Sequence, residues 1–320
     1  IPVGMVFKLR QPDLFLVDDY WHAAAEANKQ METPYDLVNV RDHLTPPAYE
    51  GLMKAARENG RYVGGHLPDR VDLNKALSSG LNEVATLGEY LSYFQKDYDP
   101  LEESSGPVAY EIDFSGIQTA VKLTAENGVA VGTGLVADER AQKILEDAPK
   151  LFSSAEYGLV RPEIFESWRG RGLALEDLDD KGKYLREEIR PFAMELAKSL
   201  HDAGVTLVAG TSVLDVGVVP GVHMHRELEL LVEAGLSPFD ALSTATRNAA
   251  KVAQKMNGDA KWGTVAEGMR ADLLLLSANP LEDIKNIRTI KGVMVRGRWY
   301  GLTELEKRLD DYKKSFSKIN

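Results

Sequence analysis

Short apolar runs alternate with longer stretches in which apolar residues recur at helical spacing, and this rhythm organises the chain from residue 35 to residue 260. Each apolar run ends at turn residues, and each helical stretch leads the chain into the next run. Alternation of this kind with short connections predicts an α/β fold with a parallel sheet or barrel. Five strands are predicted, at residues 35–40, 61–66, 82–86, 129–133 and 205–209.

The fifth predicted strand ends at Gly210, Thr211 and Ser212, and a loop then carries His223 and His225 into an amphipathic helix. Parallel α/β enzymes build their sites at the carboxyl ends of strands, so Ser212 is a candidate site residue. The two histidines precede a predicted helix, where they are candidates for binding an anionic substrate together with the helix N-terminus. A capping or surface role is the alternative for both.

The rhythm is interrupted at residues 137–184, a charged stretch that predicts a helical insertion within a barrel portion spanning residues 1–260. This insertion is either a solvent-exposed segment that projects from the fold or a lid over the site. After residue 260 the apolar segments become short and turn residues separate them, which predicts a small β module at 261–302. A charged C-terminal helix is predicted at 303–320.

Composition narrows the choice of partners. A net charge of -11 argues against nucleic acid or an anionic membrane surface as a partner. No apolar run reaches the roughly 18 residues of a membrane helix. The absence of cysteine excludes disulfides and thiolate sites. We expect a soluble protein that is either cytoplasmic or exported. Because the chain starts at Ile1 rather than Met, we also expect that an upstream segment is missing, either a signal peptide or a larger piece.

Several longer motifs resemble the amidohydrolase superfamily, in its imidazolonepropionase-like and prolidase-like branch. The motifs are Gly65-His-Leu-Pro-Asp69, His225-Arg-Glu-Leu-Glu-Leu-Leu-Val-Glu-Ala-Gly-Leu236, Gly268-Met-Arg-Ala-Asp-Leu-Leu-Leu-Leu276, Asn279-Pro-Leu-Glu-Asp-Ile284 and Val295-Arg-Gly-Arg-Trp299. The resemblance implies a TIM-type (β/α)8 barrel with a small β-sandwich module. The five predicted strands correspond to strands 4–8 of that barrel, so its front end falls outside this chain. The implied activity is hydrolysis of amide, other C–N or ester bonds of a small substrate through metal-bound hydroxide.

The resemblance also implies a set of metal-ligand positions. The family uses His-x-His on strand 1, a carboxylated Lys or Glu on strand 4, His on strands 5 and 6, and Asp on strand 8. The strand 1 pair falls outside this chain. The strand 5 histidine is present as His66, whereas Asn39, Thr86 and Ser212 stand at the positions of strands 4, 6 and 8.

These replacements weaken the expected chemistry. A catalytic zinc site needs about three protein ligands, and neutral hydroxyls are poor ligands for such cations. Asn39 cannot be carboxylated, and Ser212 cannot act as a general base near neutral pH. His66 is therefore the one metal-ligand candidate among these positions and is also a candidate catalytic residue; the alternative is a hydrogen-bonded pocket histidine without a chemical role. Asp215 is a candidate substitute for the missing acid, and a triad of Ser212, a histidine and Asp215 is a further alternative.

Two functions follow from these residues. One is an amidohydrolase-type hydrolase whose missing ligands come from a segment outside this chain. The other is a catalytically inactive pseudoenzyme, a ligand-binding or assembly protein on the same scaffold. For the chain as given we expect no cofactor, with zinc or another divalent metal bound if the family site is completed. The expected partners are a small-molecule substrate or ligand, and either a second copy of the chain or a partner segment that completes the barrel.

Overall fold

A computed structural model describes residues 36–41, 44–95, 112–176, 180–213, 215–258 and 260–316. The side chains of residues 173–186 lie outside this description. The elements expected within residues 1–34 and most of the acidic loop expected at 95–114 also fall outside it. All seven candidate site residues fall within it.

Five strands form one parallel sheet in which the spatial order follows the chain order. In register, Val38 lies opposite Val63, Gly65 opposite Val84, and Val131 opposite Leu207. The predicted parallel α/β class is therefore confirmed. Within the described residues the sheet stays open, with five strands against the eight of a closed barrel. The strands are β1 (Leu37–Val40), β2 (Tyr62–Gly65), β3 (Glu83–Val84), β4 (Ala130–Gly132) and β5 (Leu207–Val208).

Helices connect these strands, and their ends follow from local sequence. In the first of them, the Thr45 hydroxyl accepts a hydrogen bond from the Ala48 amide, Pro46 is the first helical residue, and Gly60 follows the helix with φ 59°. The helices before β5 are α1 (Pro46–Glu58), α2 (Leu73–Ser78), α3 (Ile117–Glu126), α4 (Leu135–Phe152), α5 (Pro162–Glu176) and α6 (Asp180–Asp202). After β5 come α7 (Val222–Glu233), α8 (Pro238–Ser243) and α9 (Ala249–Asn257).

Residues 137–184 contain most of α4, all of α5 and the start of α6, so this stretch is helical as predicted. Short 3-10 helices add further turns at Leu87–Tyr93, Phe114–Gly116, Ala155–Leu159 and Ile284–Arg288. The division of the chain into a barrel portion with an insertion, a β module and a terminal helix stays a prediction. Among the described helices, none is both long and apolar enough to cross a membrane.

The main core lies between the sheet and the helices that cover it. Val40, Val84 and Val131 of three different strands are fully buried in this core. Phe192 of α6 is also fully buried, and its ring centroid lies 5.1 Å from that of Phe94. The strands are mostly apolar because a parallel sheet is covered by helices; Asn39 of β1 and Glu83 of β3 are polar exceptions.

A second, antiparallel sheet follows residue 260, as the spacing of turn residues predicts. Its hairpin turn holds Arg296 and Gly297 with φ 49° and 81°, backbone angles that favour glycine at the second position. The first part of the predicted β module is irregular: Gly263 has φ 88° and lies against Thr246 and Ala250. The sheet contains β6 (Leu273–Leu276), β7 (Ile290–Val295) and β8 (Arg298–Gly301), and α10 (Leu302–Phe316) follows it.

Candidate functional site

The carboxyl ends of the five strands meet at one edge of the sheet. Backbone hydrogen bonds join neighbouring ends: the His66 amide donates to Val40 (2.9 Å), and the Leu87 amide donates to Thr133 (3.2 Å). The Gly134 amide donates to Gly210 (3.1 Å) at the end of β5. The structure therefore places Asn39, His66, Thr86 and Ser212, which we call the strand-end site, along this edge.

Asn39 lies in β1 with its side chain against Gly65 of β2. A Cβ atom on Gly65 would lie only 2.3 Å from the Asn39 Oδ1 atom and from the Val40 carbonyl oxygen. Gly65 also has φ 133°, a conformation that side chains with a Cβ rarely adopt. The glycine before His66 is thus required by the close approach of β1, and it brings Asn39 next to the histidine.

His66 is held on both sides by charged groups. Its Nε2 atom lies 2.9 Å from Nη1 of Arg41, and its Nδ1 atom lies 3.0 Å from Oε1 of Glu89. A guanidinium only donates hydrogen bonds, so Nε2 accepts and Nδ1 carries the proton that is donated to Glu89. The contacts fix a neutral imidazole with its Nε2 lone pair directed at a cation.

Arg41 and Glu89 are site residues that sequence reasoning missed. Arg41 follows Asn39 by two residues, the spacing that places side chains on the same face of an extended strand. Glu89 lies in the 3-10 helix that begins directly after Thr86, and its side chain is only 13% exposed. The two-residue spacing between Asn39 and Arg41 was the one feature of the sequence that could have indicated Arg41 as a site residue.

Thr86 and Ser212 meet across Gly134, the residue after Thr133. A Cβ atom on Gly134 would lie 3.2 Å from the Thr86 Cβ atom and 3.4 Å from the Ser212 hydroxyl oxygen. Ser212 itself has φ 47°, the left-handed region that few residues other than glycine adopt. The structure therefore brings together two of the positions at which the family places His and Asp.

Asp215 lies in the turn that follows Ser212. Its amide donates to the Ser212 carbonyl oxygen (3.0 Å), and its own carbonyl accepts from Val218 (3.1 Å). The residue is exposed on this turn. Its role as a substitute acid stays a prediction.

His223 and His225 lie inside the first turn of α7, which corrects the expectation that they precede the helix. His223 is 2% exposed; its Nδ1 atom accepts from the Val219 amide (2.8 Å), and its Nε2 atom lies 3.1 Å from Glu156. The imidazole ties the helix start to the 3-10 helix at residues 155–159 because both ring nitrogens are used within the fold. Burial, with Arg288 nearby, lowers the pKa of His225.

Glu227 of α7 is a buried carboxylate that contacts the residues directly after β4. Its Oε1 atom accepts from the Thr133 hydroxyl (2.5 Å) and the Leu135 amide (3.1 Å), and its Oε2 atom accepts from Val136 (2.7 Å). The carboxylate thus caps the N-terminus of α4. Burial raises the pKa of Glu227 to about 7, against the lowering effect of these donors.

Glu139 of α4 is a second buried acid, and its pKa is shifted in the direction opposite to that of Glu227. Its carboxylate contacts Arg226 of α7 at 2.8 Å, Arg140 at 2.8 Å and Lys143 at 3.4 Å. Burial would raise the pKa of Glu139, but these cations outweigh it and lower the pKa to about 2. These contacts hold α4 against α7, and none of the three involves a strand-end residue.

A cavity of about 860 Å³ lies between the loops that follow β1 and β2 and the start of α3. None of the four strand-end residues lines it. Its charged lining residues are Asp69, Arg70, Asp72 and Asp113.

A sequence profile of the Amidohydrolase family matches residues 22–300, which is most of the chain. The chain belongs to this family. Its amidohydrolase relatives include ochratoxinase from Aspergillus niger, which is 28% identical over 181 residues, covering 56% of this chain and 34% of the relative. The matched region thus spans about a third of the length of that curated relative.

Solved structures of amidohydrolases share the fold. A bottromycin amidohydrolase superposes with a TM-score of 0.66 at 23% identity, covering 91% of this chain and 62% of that chain. A Xaa-Pro dipeptidase with bound methionine superposes with a TM-score of 0.58 at 17% identity, covering 89% and 59%. These likenesses establish the amidohydrolase fold for the described residues.

Amidohydrolases usually use a divalent metal, so the strand-end residues can be tested against one. Within the described parts of the chain, no three His, Asp or Glu side chains are grouped so as to hold a metal ion. At the strand ends themselves, two hydroxyls and an amide stand with a single imidazole and a single carboxylate. The Nε2 lone pair of His66 already accepts from Arg41, and Glu89 lies on the other side of the ring, where it accepts from Nδ1. This donor set does not fit a divalent metal.

Proposed function

We propose that this chain is an amidohydrolase-family protein whose strand-end site is degenerate, so that the chain binds a small molecule without catalysing metal-dependent hydrolysis. The observation that carries the proposal is the chemistry of three positions. Asn39, Thr86 and Ser212 are neutral, and they stand along the same edge as His66. The five described strands keep their parallel pairing around these positions, which supports a change confined to the side chains at the site.

The missing groups are those that generate and direct a nucleophile. An amide at position 39 cannot form a carbamate that bridges two cations, and a hydroxyl at position 212 cannot take a proton from water near pH 7. A single imidazole does not hold a catalytic ion, which needs about three ligands. The polar groups that remain are suited to hydrogen bonding a ligand.

The ligand is proposed from the relatives and from the cavity. The solved Xaa-Pro dipeptidase holds methionine in its active site, and another prolidase structure holds N-methylphosphonate-L-proline. Amino-acid-like amides are therefore the first compounds to test. The cavity between the loops that follow β1 and β2, which the strand-end residues do not line, is large enough for a small molecule of this kind.

A second candidate function is a hydrolase that is completed by a segment outside this chain. The observation that favours it is the open sheet, in which β1 and β5 each have a neighbour on one side only among the described residues. Strands from a further segment or a partner would close such a sheet into a barrel. Under this alternative His66 would join ligands supplied by that segment.

Metal analysis of the purified chain, after incubation with zinc, manganese or cobalt and gel filtration, tests the first proposal. We expect less than stoichiometric metal and no amidase turnover. A variant with Asn39→Lys, Thr86→His and Ser212→Asp should gain metal binding. Its control carries the same types of change at exposed positions, Asn127→Lys, Thr303→His and Ser154→Asp. Stoichiometric metal in the native chain would overturn the proposal and favour the second candidate.

A further inference from the structure

The charged neighbours of His66 suggest what has replaced the metal. Three successive units of the sheet each contribute one group: Arg41 follows β1, His66 follows β2, and Glu89 follows β3. The guanidinium, the imidazole and the carboxylate form a chain with contacts of 2.9 and 3.0 Å. Since these groups are 25 and 23 residues apart, the chain exists only because the parallel strands bring their ends together.

The direction of the hydrogen bonds decides what the imidazole can do. Arginine has no acceptor atom and stays protonated, so its contact requires an unprotonated Nε2 atom. The proton then lies on Nδ1 and is donated to Glu89. This arrangement parallels a metal site, in which one ring nitrogen binds the cation and the other donates to a carboxylate.

We propose that the Arg41 guanidinium takes the place of a metal ion at His66, so that the strand-end site contains a permanent side-chain cation that excludes a divalent one. The proposal rests on the proposed function, because it explains why the remaining histidine does not recruit metal. Two effects act together. The guanidinium occupies the lone pair that a metal would use, and its charge repels a second cation at the same place.

The tautomer of His66 gives a test on the native protein. Side-chain ¹⁵N NMR of the histidine-labelled full chain near pH 8, with the His66 signals assigned from a His66→Gln variant, reports which ring nitrogen carries the proton. We expect Nδ1–H with an unprotonated Nε2 that moves downfield in Arg41→Ala, because it loses a hydrogen bond. Arg57→Ala, a change at another exposed arginine, should leave the signals in place. Nε2–H in the native chain would overturn the proposal.

Cobalt titration gives the second test. The variant with Asn39→Lys, Thr86→His and Ser212→Asp is compared with the same variant carrying Arg41→Ala or, as the control, Arg57→Ala. Loss of one hydrogen bond from a charged group corresponds to a change of about tenfold or more in affinity. We therefore expect Arg41→Ala to tighten cobalt binding at least about tenfold and Arg57→Ala to leave it unchanged.

The outcomes separate this proposal from the proposed function. Equal cobalt affinity with and without Arg41 overturns the proposal, and so does a failure of both variants to bind cobalt, because something other than Arg41 would then exclude the metal. Stoichiometric metal in the native chain overturns the proposed function and this proposal together, whereas equal cobalt affinity with no metal in the native chain overturns this proposal alone. If the variants do not fold, the tautomer of the native protein decides.

Discussion

Glu227 is the residue at which burial and hydrogen bonding compete most directly. The carboxylate is fully buried, and it accepts from the Thr133 hydroxyl and from the amides of Leu135 and Val136. Burial nevertheless outweighs these donors and raises its pKa from 4.5 to about 7. A shift of this size corresponds to about 3 kcal/mol in the free energy of unfolding.

The sign of the effect follows from proton linkage. Because the folded state binds the Glu227 proton more tightly than the unfolded state, this stabilisation is fully present below the unfolded pKa and is lost as the pH rises through about 7. Glutamine cannot titrate. We therefore expect the free energy of unfolding of the native chain to fall by about 3 kcal/mol, relative to Glu227→Gln, between pH 4.5 and about 8.

Urea denaturation of both proteins at closely spaced pH values measures this difference, and the subtraction removes the groups that titrate alike in the two proteins. Glu126→Gln, at an exposed position on α3, is the matched control for removal of a carboxylate that lies outside the core. A difference between native chain and Glu227→Gln that stays flat or increases with pH would refute the reasoning, because the three donors would then outweigh burial.

Three further changes test other parts of the fold by the same unfolding measurement. Glu139→Gln should lower the free energy of unfolding by about 3 kcal/mol at neutral pH, because the cations around Glu139, Arg226 among them, hold its pKa near 2. The native chain should lose this stabilisation as the pH falls from 4.5 towards 2. Gly65→Ala should cost more than about 2 kcal/mol, since its Cβ would lie 2.3 Å from Asn39 Oδ1. Phe192→Ala should cost about 3–5 kcal/mol through the cavity left in the core, and Phe192→Leu distinctly less. Losses below about 1 kcal/mol would contradict each expectation.

The parallel order of the strands was predictable because short apolar runs that end at turns alternate with helical stretches along the chain. The site positions were predictable for the same reason, since the ends of such strands meet at one edge. His66 and Ser212 could be assigned to that edge from sequence because a glycine lies directly before His66 and two residues before Ser212. The strands are shorter than their apolar runs predict: β3 is two residues long against a predicted five.

The contacts that define the chemistry were not predictable from spacing. Arg41 and Glu89 meet His66 only in the folded sheet, and surface charges of the same type occur throughout the chain. Glu227 lies in an amphipathic helical pattern, where an acid is ordinarily solvated. It is buried because the N-terminus of α4 requires acceptors, and that requirement arises from the packing of α4 against α7 rather than from local sequence.

The conformation of Ser212 suggests that the scaffold still suits an acid at this position. Its φ of 47° lies in the left-handed region, which aspartate adopts more readily than most residues and β-branched residues strongly avoid. Ser212→Asp should therefore change the free energy of unfolding by less than about 1 kcal/mol, whereas Ser212→Val should cost about 1–3 kcal/mol through backbone strain. Urea denaturation at pH 7 compares the two variants. If the aspartate variant is as unstable as the valine variant, the turn no longer accommodates an acid at position 212. If the aspartate variant is as stable as the native chain, the site has lost its acid while the backbone has kept a conformation that accommodates aspartate.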